Sequence, residues 1–303
     1  MGDDRRMEQR VGSAKELAAL LGTSGYLTDD ALATVGFLAL HLGRPLLLEG
    51  EPGTGKTAMA EALAEGLDVP LIRLQCYEGI DASQALYDWD FPRQILHLRA
   101  VETAASTGLD VSDVTDVEKS LFDERFLIAR PVLRALRESP AVLLVDEIDR
   151  ADDEFEAFLL EVLSTYQVSI PEFGTISASP PPVVVLTSNR TRELHDALKR
   201  RCLYHWIDHP SLDRELAIVR SRAPEVGEEL AEQVVTLVQR LRNEADLLKP
   251  PGVAETLDWA RALEALGSTA LDVENVSATL GAAVKYREDA DRVRASLDRM
   301  LAS

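Results

Sequence analysis

The sequence predicts a three-layer α/β domain built on a parallel sheet, followed by a smaller all-helical domain. Three observations predict it. Short, continuous apolar runs at Pro45–Leu48, Ala141–Val145 and Val183–Leu186, with a further strand-like stretch at Pro70–Leu74, recur between helical stretches up to about His209. Strands buried on both faces of a parallel sheet read in this way. A glycine-rich turn follows the first run and opens a helix. From about Pro210 the strand-like runs stop and helical spacing takes over.

Residues 1–12 are polar and read as a disordered start, residues 13–209 as the α/β domain and residues 210–303 as the helical one. Ala14–Leu21 and Thr28–Leu42 carry helical apolar spacing. Thr28 is the expected N-cap of the second, with Asp29 and Asp30 at its positive end. Ala58–Leu67 reads as a helix after the glycine-rich turn. Glu78 to about Phe126 is irregular, with Tyr87, Trp89 and Phe91, a turn at Pro92 and an acidic stretch around Asp110–Glu118. Pro131 can open a helix through Glu138. Phe155–Leu163 reads as an amphipathic helix and Val168–Ser179 as a hairpin turning near Gly174. Helix Glu193–Arg201 and strand Tyr204–Ile207 complete the α/β pattern. Helices are then expected at Asp213–Arg222, Glu228–Arg242, Ala254–Leu266 and Val276–Tyr286, and Pro250-Pro251-Gly252 breaks the chain before the third.

Composition narrows the function classes. A chain of 303 residues with 46% apolar residues can bury a core without metal or disulfide staples. Its two cysteines, Cys76 and Cys202, form no disulfide framework and no CxxC zinc spacing. They read as reduced, buried thiols of a cytoplasmic protein. His41, His97, His195, His205 and His209 show no metal-ligand spacing. No secretory leader is visible, and no apolar run is long enough to span a bilayer. The formal net charge of -20 repels phosphate backbones, which argues against nucleic acid and leaves room for a basic partner.

The strongest chemical signal is Gly50-Glu51-Pro52-Gly53-Thr54-Gly55-Lys56-Thr57, which fits the phosphate-loop pattern GxxxxGK[ST]. Its glycines let the backbone curl so that successive N–H groups face a phosphate, and the following helix aims its positive end there. Lys56 is placed to reach the β- and γ-phosphates of ATP, and Thr57 to give its hydroxyl to Mg²⁺. A second buried strand ends in Asp146-Glu147. Asp146 suits Mg²⁺, largely through its waters, and Glu147 suits the polarising of an attacking water. Asp149 and Arg150 follow, as structural residues or at a subunit boundary. A third strand ends at Asn189, which would hold the same water if the two strands are neighbours. Lys199-Arg200-Arg201 closes a helix, where cations suit the dipole. Arg200 or Arg201 could alternatively act in trans on a neighbour's γ-phosphate. No Asn-Lys-x-Asp motif for reading guanine occurs.

These elements, in this order, resemble the AAA+ ATPases. The phosphate loop corresponds to Walker A, Asp146-Glu147 to Walker B, Asn189 to sensor 1 and Arg200/Arg201 to the arginine-finger region. Gly50–Thr57, Leu144–Ala151 and Thr187–Asn189 are similar to the core of the MoxR group. Leu71–Gly79, Asp196–Trp206 and Pro250–Trp259 are similar to its CoxD-like subgroup, which is associated with maturation of carbon monoxide dehydrogenase. The resemblance spans about Gly25 to Tyr286. It implies a homo-oligomeric ring, a hexamer, with ATP between protomers. It also implies an insert within about Asp81–Phe122, which would let Tyr87, Trp89 and Phe91 face a partner or pack in an inserted hairpin, and a hairpin at Val168–Ser179 before sensor 1. It implies a von Willebrand factor A domain partner and a protein client such as a molybdenum-copper metalloenzyme. A nucleic-acid-associated motor or loader is the alternative within AAA+. One feature departs from the pattern. Many AAA+ proteins carry a sensor 2 arginine at the start of the third lid helix, where this sequence has Glu255 or Thr256, with Arg261 further along.

Overall fold

Five strands, β1 (Leu46–Gly50), β2 (Leu71–Gln75), β5 (Val142–Asp146), β8 (Val183–Ser188) and β9 (Leu203–Ile207), form one wholly parallel sheet in the order β2-β5-β8-β1-β9. A computed structural model describes residues 11–106, 120–171, 173–244 and 246–301. Most of the disordered start expected for residues 1–12, and the acidic stretch Asp110–Glu118, lie outside these.

Alternate strand residues point to opposite faces. Leu46, Leu48, Val142, Leu144 and Val185 pack beneath helices α1 (Ala14–Thr23), α2 (Asp30–Leu42) and α3 (Lys56–Leu67). Leu47, Leu143, Val145, Val184 and Leu186 pack against α6 (Pro131–Arg137), α7 (Asp153–Thr165) and α8 (Asp196–Arg201). The central strands are buried on both sides, hence their continuous apolar runs. The edge strand β2 alternates instead, with Ile72 and Leu74 buried and Arg73 and Gln75 exposed. Burial pushes the thiols of Cys76 and Cys202 up to about 12, so both are inert packing residues.

Between β2 and β5 lie α4 (Ala82–Ala85), β3 (Tyr87–Trp89), α5 (Phe91–Ser106) and β4 (Leu127–Ala129), with β3 and β4 antiparallel. Tyr87 and Trp89 pack against the core, and Trp89 meets Phe122 edge-on, whereas Phe91 is exposed. Pro92 makes no turn; it occupies the first turn of α5, where its missing N–H has no intrahelical role. The hairpin pairs β6 (Gln167–Ile170) with β7 (Gly174–Ser177).

Two helix starts differ from the expected ones. Asp29, not Thr28, caps α2; its carboxylate accepts from the Leu32 N–H at 2.7 Å, while the Thr28 hydroxyl donates to the Asp29 carbonyl. A helix does not begin at Glu193 but at Asp196. Arg192 is drawn away to the Ala151 carbonyl and Glu156, and the Glu156 carboxylate also takes the His195 N–H.

Beyond Pro210 every described element is helical: α9 (Leu212–Arg222), α10 (Glu228–Glu244), α11 (Val253–Ala265), α12 (Val273–Thr279) and α13 (Arg287–Leu301), with a 3-10 turn at Leu280–Ala282. The single helix expected over Val276–Tyr286 is therefore split. The sequence reading misses α13 altogether, although Val293, Leu297 and Met300 are spaced to bury one narrow stripe. The core centres on fully buried Trp259, whose indole N–H donates to Thr279 Oγ1 at 2.8 Å.

A buried ion pair ties three of these helices together. Both carboxylate oxygens of Glu215 accept from Arg242, and Thr256 Oγ1 and Gln239 Nε2 add hydrogen bonds at 2.6 and 2.7 Å. Arg242→Ala strands a buried carboxylate, and a loss of about 3–5 kcal/mol is expected. Urea unfolding would measure it; a loss below about 1 kcal/mol, typical of a surface pair, would contradict the account.

Candidate functional site

The phosphate loop leaves the sheet from β1, a central strand. Gly50 is required chiefly by contact: a Cβ there would meet the Ile207 carbonyl oxygen at 2.3 Å. Gly53 takes φ +79, and its missing side chain admits Gly252 from the helical region. The loop closes into α3, so the first N–H groups of that helix face the loop's concavity. Lys56 is almost fully buried, and its ammonium donates to the carbonyls of Gly50 and Glu51 at 2.8 and 2.7 Å. Burial lowers its pKa from the ordinary lysine value.

Neighbouring strands bring the acids to the loop. Asp146 is buried at the end of β5, and its Oδ1 accepts from Thr57 Oγ1 at 3.0 Å and from Thr187 Oγ1. Its Oδ2 takes an ion pair from Arg73. Glu147 sits in the left-handed region at φ 55, a conformation that its neighbours must hold. Its N–H donates to Thr187 Oγ1 at 2.9 Å. The Glu147 carboxylate accepts from Asn189 Nδ2 at 3.3 Å and Gln75 Nε2 at 3.0 Å, and it forms an ion pair with Arg150, 3.1 Å from its Nε. Strand β8 does lie beside β5, which is the condition for Asn189 to meet Glu147. Asp149 is buried and accepts from the Asn189 and Thr191 N–H groups, so it fastens the loop that carries Asn189.

Pro52 to Thr57, Asp146, Glu147, Thr187, Asn189 and Arg73 line one cleft of about 810 Å³. Gly50 and Glu51 shape the loop without lining the cleft. Its far wall includes Tyr26, Leu27, Ile218, Val253 and Leu257. Thr57 and Asp146 offer hard oxygen donors of the kind Mg²⁺ takes. No group of three or more His, Cys, Asp or Glu suited to a metal occurs among the described residues. Mg²⁺ on these two donors would take the rest of its shell from phosphate oxygens and water.

Arg200 and Arg201 do not line this cleft. The Arg201 guanidinium donates to the Leu163 and Ser164 carbonyls at 3.1 and 2.9 Å, closing the end of α7. Arg200 is exposed at the surface. No arginine of α11 reaches the cleft either. Arg261 pairs with Glu225, Thr256 is buried on Glu215, and Glu255 Oε2 accepts from the Gly252 N–H. Arg214 and Arg222 of α9 line the cleft instead and donate to the Leu27 and Ser24 carbonyls.

Sequence reasoning misses Arg73, Gln75 and the role of Thr187. A signal existed in Leu71–Gln75, where polar residues at alternate positions share one strand face. Its meaning depended on register, since only pairing places Gln75 opposite Asp146.

A phosphate loop after a central strand of a parallel sheet, with paired acids on a strand of the same sheet, defines a P-loop ATPase of the AAA class. The family described as AAA domain (dynein-related subfamily) matches residues 45–202, more than half of the chain, and the chain belongs to it. The protein is an ATP hydrolase. The Bacillus subtilis (strain 168) uncharacterized protein YojN is 27% identical over 263 residues, covering 84% of this chain and 75% of that protein. An uncharacterized protein of Staphylococcus aureus (strain USA300) is 25% identical over 207 residues, 66% of this chain and 69% of that one. Among solved structures, the Thermotoga maritima RuvB Holliday junction branch migration motor aligns with TM-score 0.44 and 16% identity, over 89% of this chain and 72% of that one. Members of the AAA+ class typically assemble into rings. Among the described residues no helix is long and apolar enough to cross a membrane.

Proposed function

We propose that the protein is a MoxR-type ATPase that couples hydrolysis of Mg-ATP, bound at Gly50–Thr57, to the remodelling or maturation of a protein client. The observation that carries the chemistry is the Glu147 carboxylate, held by Asn189 and Gln75 beside the Thr57–Asp146 pair. The loop N–H groups and Lys56 bind and orient the triphosphate. Thr57 and Asp146 hold Mg²⁺, which neutralises phosphate charge when bound. Glu147 takes a proton from the attacking water, and Asn189 keeps carboxylate and water aligned. The apolar wall of Leu27, Ile218 and Leu257 receives the base. Residues 210–303 act as the lid over this site.

The client reading rests on the MoxR and CoxD-like phrases in the sequence, which point to a von Willebrand factor A domain partner and a metalloenzyme client. The charge of -20 supports a protein client over a nucleic acid. ATP-dependent phosphate release, with ATP bound more tightly than GTP, is the direct test; tighter GTP binding would refute the reading.

The ring is completed in this proposal by Arg200, which acts on the neighbouring protomer's γ-phosphate, while Arg201 serves the end of α7. Such an arginine contributes about 10³–10⁵ in rate. Doping Arg200→Ala into parental protein is therefore expected to lower activity more than in proportion to the fraction added. Strictly proportional loss would rule out action in trans.

A further inference from the structure

The helical region touches the phosphate loop through the peptide backbone. The Val253 N–H donates to the Gly53 carbonyl at 2.9 Å. A Cβ on Gly252 would meet Gly53 Cα at 2.8 Å and the Pro52 carbonyl oxygen at 2.9 Å, so the two backbones meet at a distance that only glycine permits. Val253 is the first residue of α11, where a helix leaves its N–H without an intrahelical partner. The phosphate loop supplies that partner.

We infer that Gly252 and Val253 are positioning residues for ATP hydrolysis: their backbone joint to Gly53 fixes the phosphate loop and makes its shape depend on the position of the helical region. This rests on the reading of Gly50–Thr57 as the phosphate site. A loop held from outside loses less freedom when it closes on a triphosphate, so the joint strengthens binding. The coupling is reciprocal, so bound ATP must hold α11 more firmly against the core. The Arg242 side chain stiffens the joint from behind, because its Nε donates to the Pro251 carbonyl at 2.6 Å.

The position of Val253 allows a selective test. Proline is tolerated at the first position of a helix, and the extended backbone of Gly252 suits a residue preceding proline. Val253→Pro therefore removes the donor and sets a ring carbon where the N–H met the Gly53 carbonyl, opening the joint while keeping the helix, and Val253→Ala trims the side chain while keeping the donor. Val253→Pro is expected to raise the KM for ATP about fivefold, the weight of one net hydrogen bond. Its kcat should change by less than about twofold, and its melting temperature should rise less on adding ATP. Val253→Ala keeps the donor but trims side-chain surface from the cleft wall, so its KM should rise by less than that of Val253→Pro. Equal KM values for the two variants would overturn the inference. If Val253→Pro fails to fold, Gly252→Ala tests the same joint, because its φ of -84 suits alanine and only the contact opposes it. A KM unchanged relative to Gly227→Ala, where a Cβ meets open space, would likewise overturn the inference. Failure of the parental protein to bind ATP would instead refute the phosphate-loop reading itself.

Discussion

Lys56→Ala is expected to weaken ATP binding by about 10- to 100-fold, the range for losing hydrogen bonds made by a charged group. The side chain is well placed for so large an effect. It is almost wholly buried, so no solvent competes for its ammonium, and it is anchored at the start of α3 beneath the loop. Its donors already meet the Gly50 and Glu51 carbonyls, which shows that the group can serve several oxygens in this loop. Titration with a fluorescent ATP analogue would measure the loss. An affinity within twofold of the parental value would remove Lys56 from the phosphate site. Removing this ammonium also frees two carbonyls, so a companion Lys56→Arg variant separates charge from shape.

Glu147→Gln is expected to retain ATP binding and to lower kcat by about 10²–10⁴-fold, the usual contribution of a positioned general base. The carboxylate accepts from two donors, Asn189 at Oε1 and Gln75 at Oε2, and pairs ionically with Arg150. A glutamine side chain has one acceptor oxygen, so its amide must face at least one of these donors with its own N–H groups. The variant thus loses its basicity and part of its alignment, while Lys56, Thr57 and Asp146 are left in place. Single-turnover phosphate release alongside nucleotide affinity would separate the two steps. Hydrolysis at the parental rate would overturn the role given to Glu147. Loss of binding together with turnover would show that the residue shapes the nucleotide pocket rather than priming water.

Most of the sheet was legible because its central strands are buried on both faces. Val142–Val145 and Val183–Leu186 therefore appear as unbroken apolar runs that no exposed element could carry. The helix α13 was not legible, because a narrow stripe of Val293, Leu297 and Met300 lies among charged residues. The N-cap of α2 was misplaced by one residue, since Thr28 and Asp29 both suit the position and only the local backbone turn chooses between them.

The candidate site divides in the same way. The sequence by itself determined which groups are available: the phosphate loop, Asp146-Glu147 and Asn189 each lie at the end of an apolar strand, where a parallel sheet presents its ligands. Tertiary structure alone decided which of them meet. Strand order placed Asn189 on Glu147, and register placed Arg73 and Gln75 on the two acids. It tied Arg201 to α7 and left Arg200 exposed, and it laid Gly252 against Gly53. The reason is physical. A strand end or a glycine-rich turn is encoded by local sterics and burial, whereas a hydrogen bond between residues dozens of positions apart exists only once packing has set the distance between their backbones.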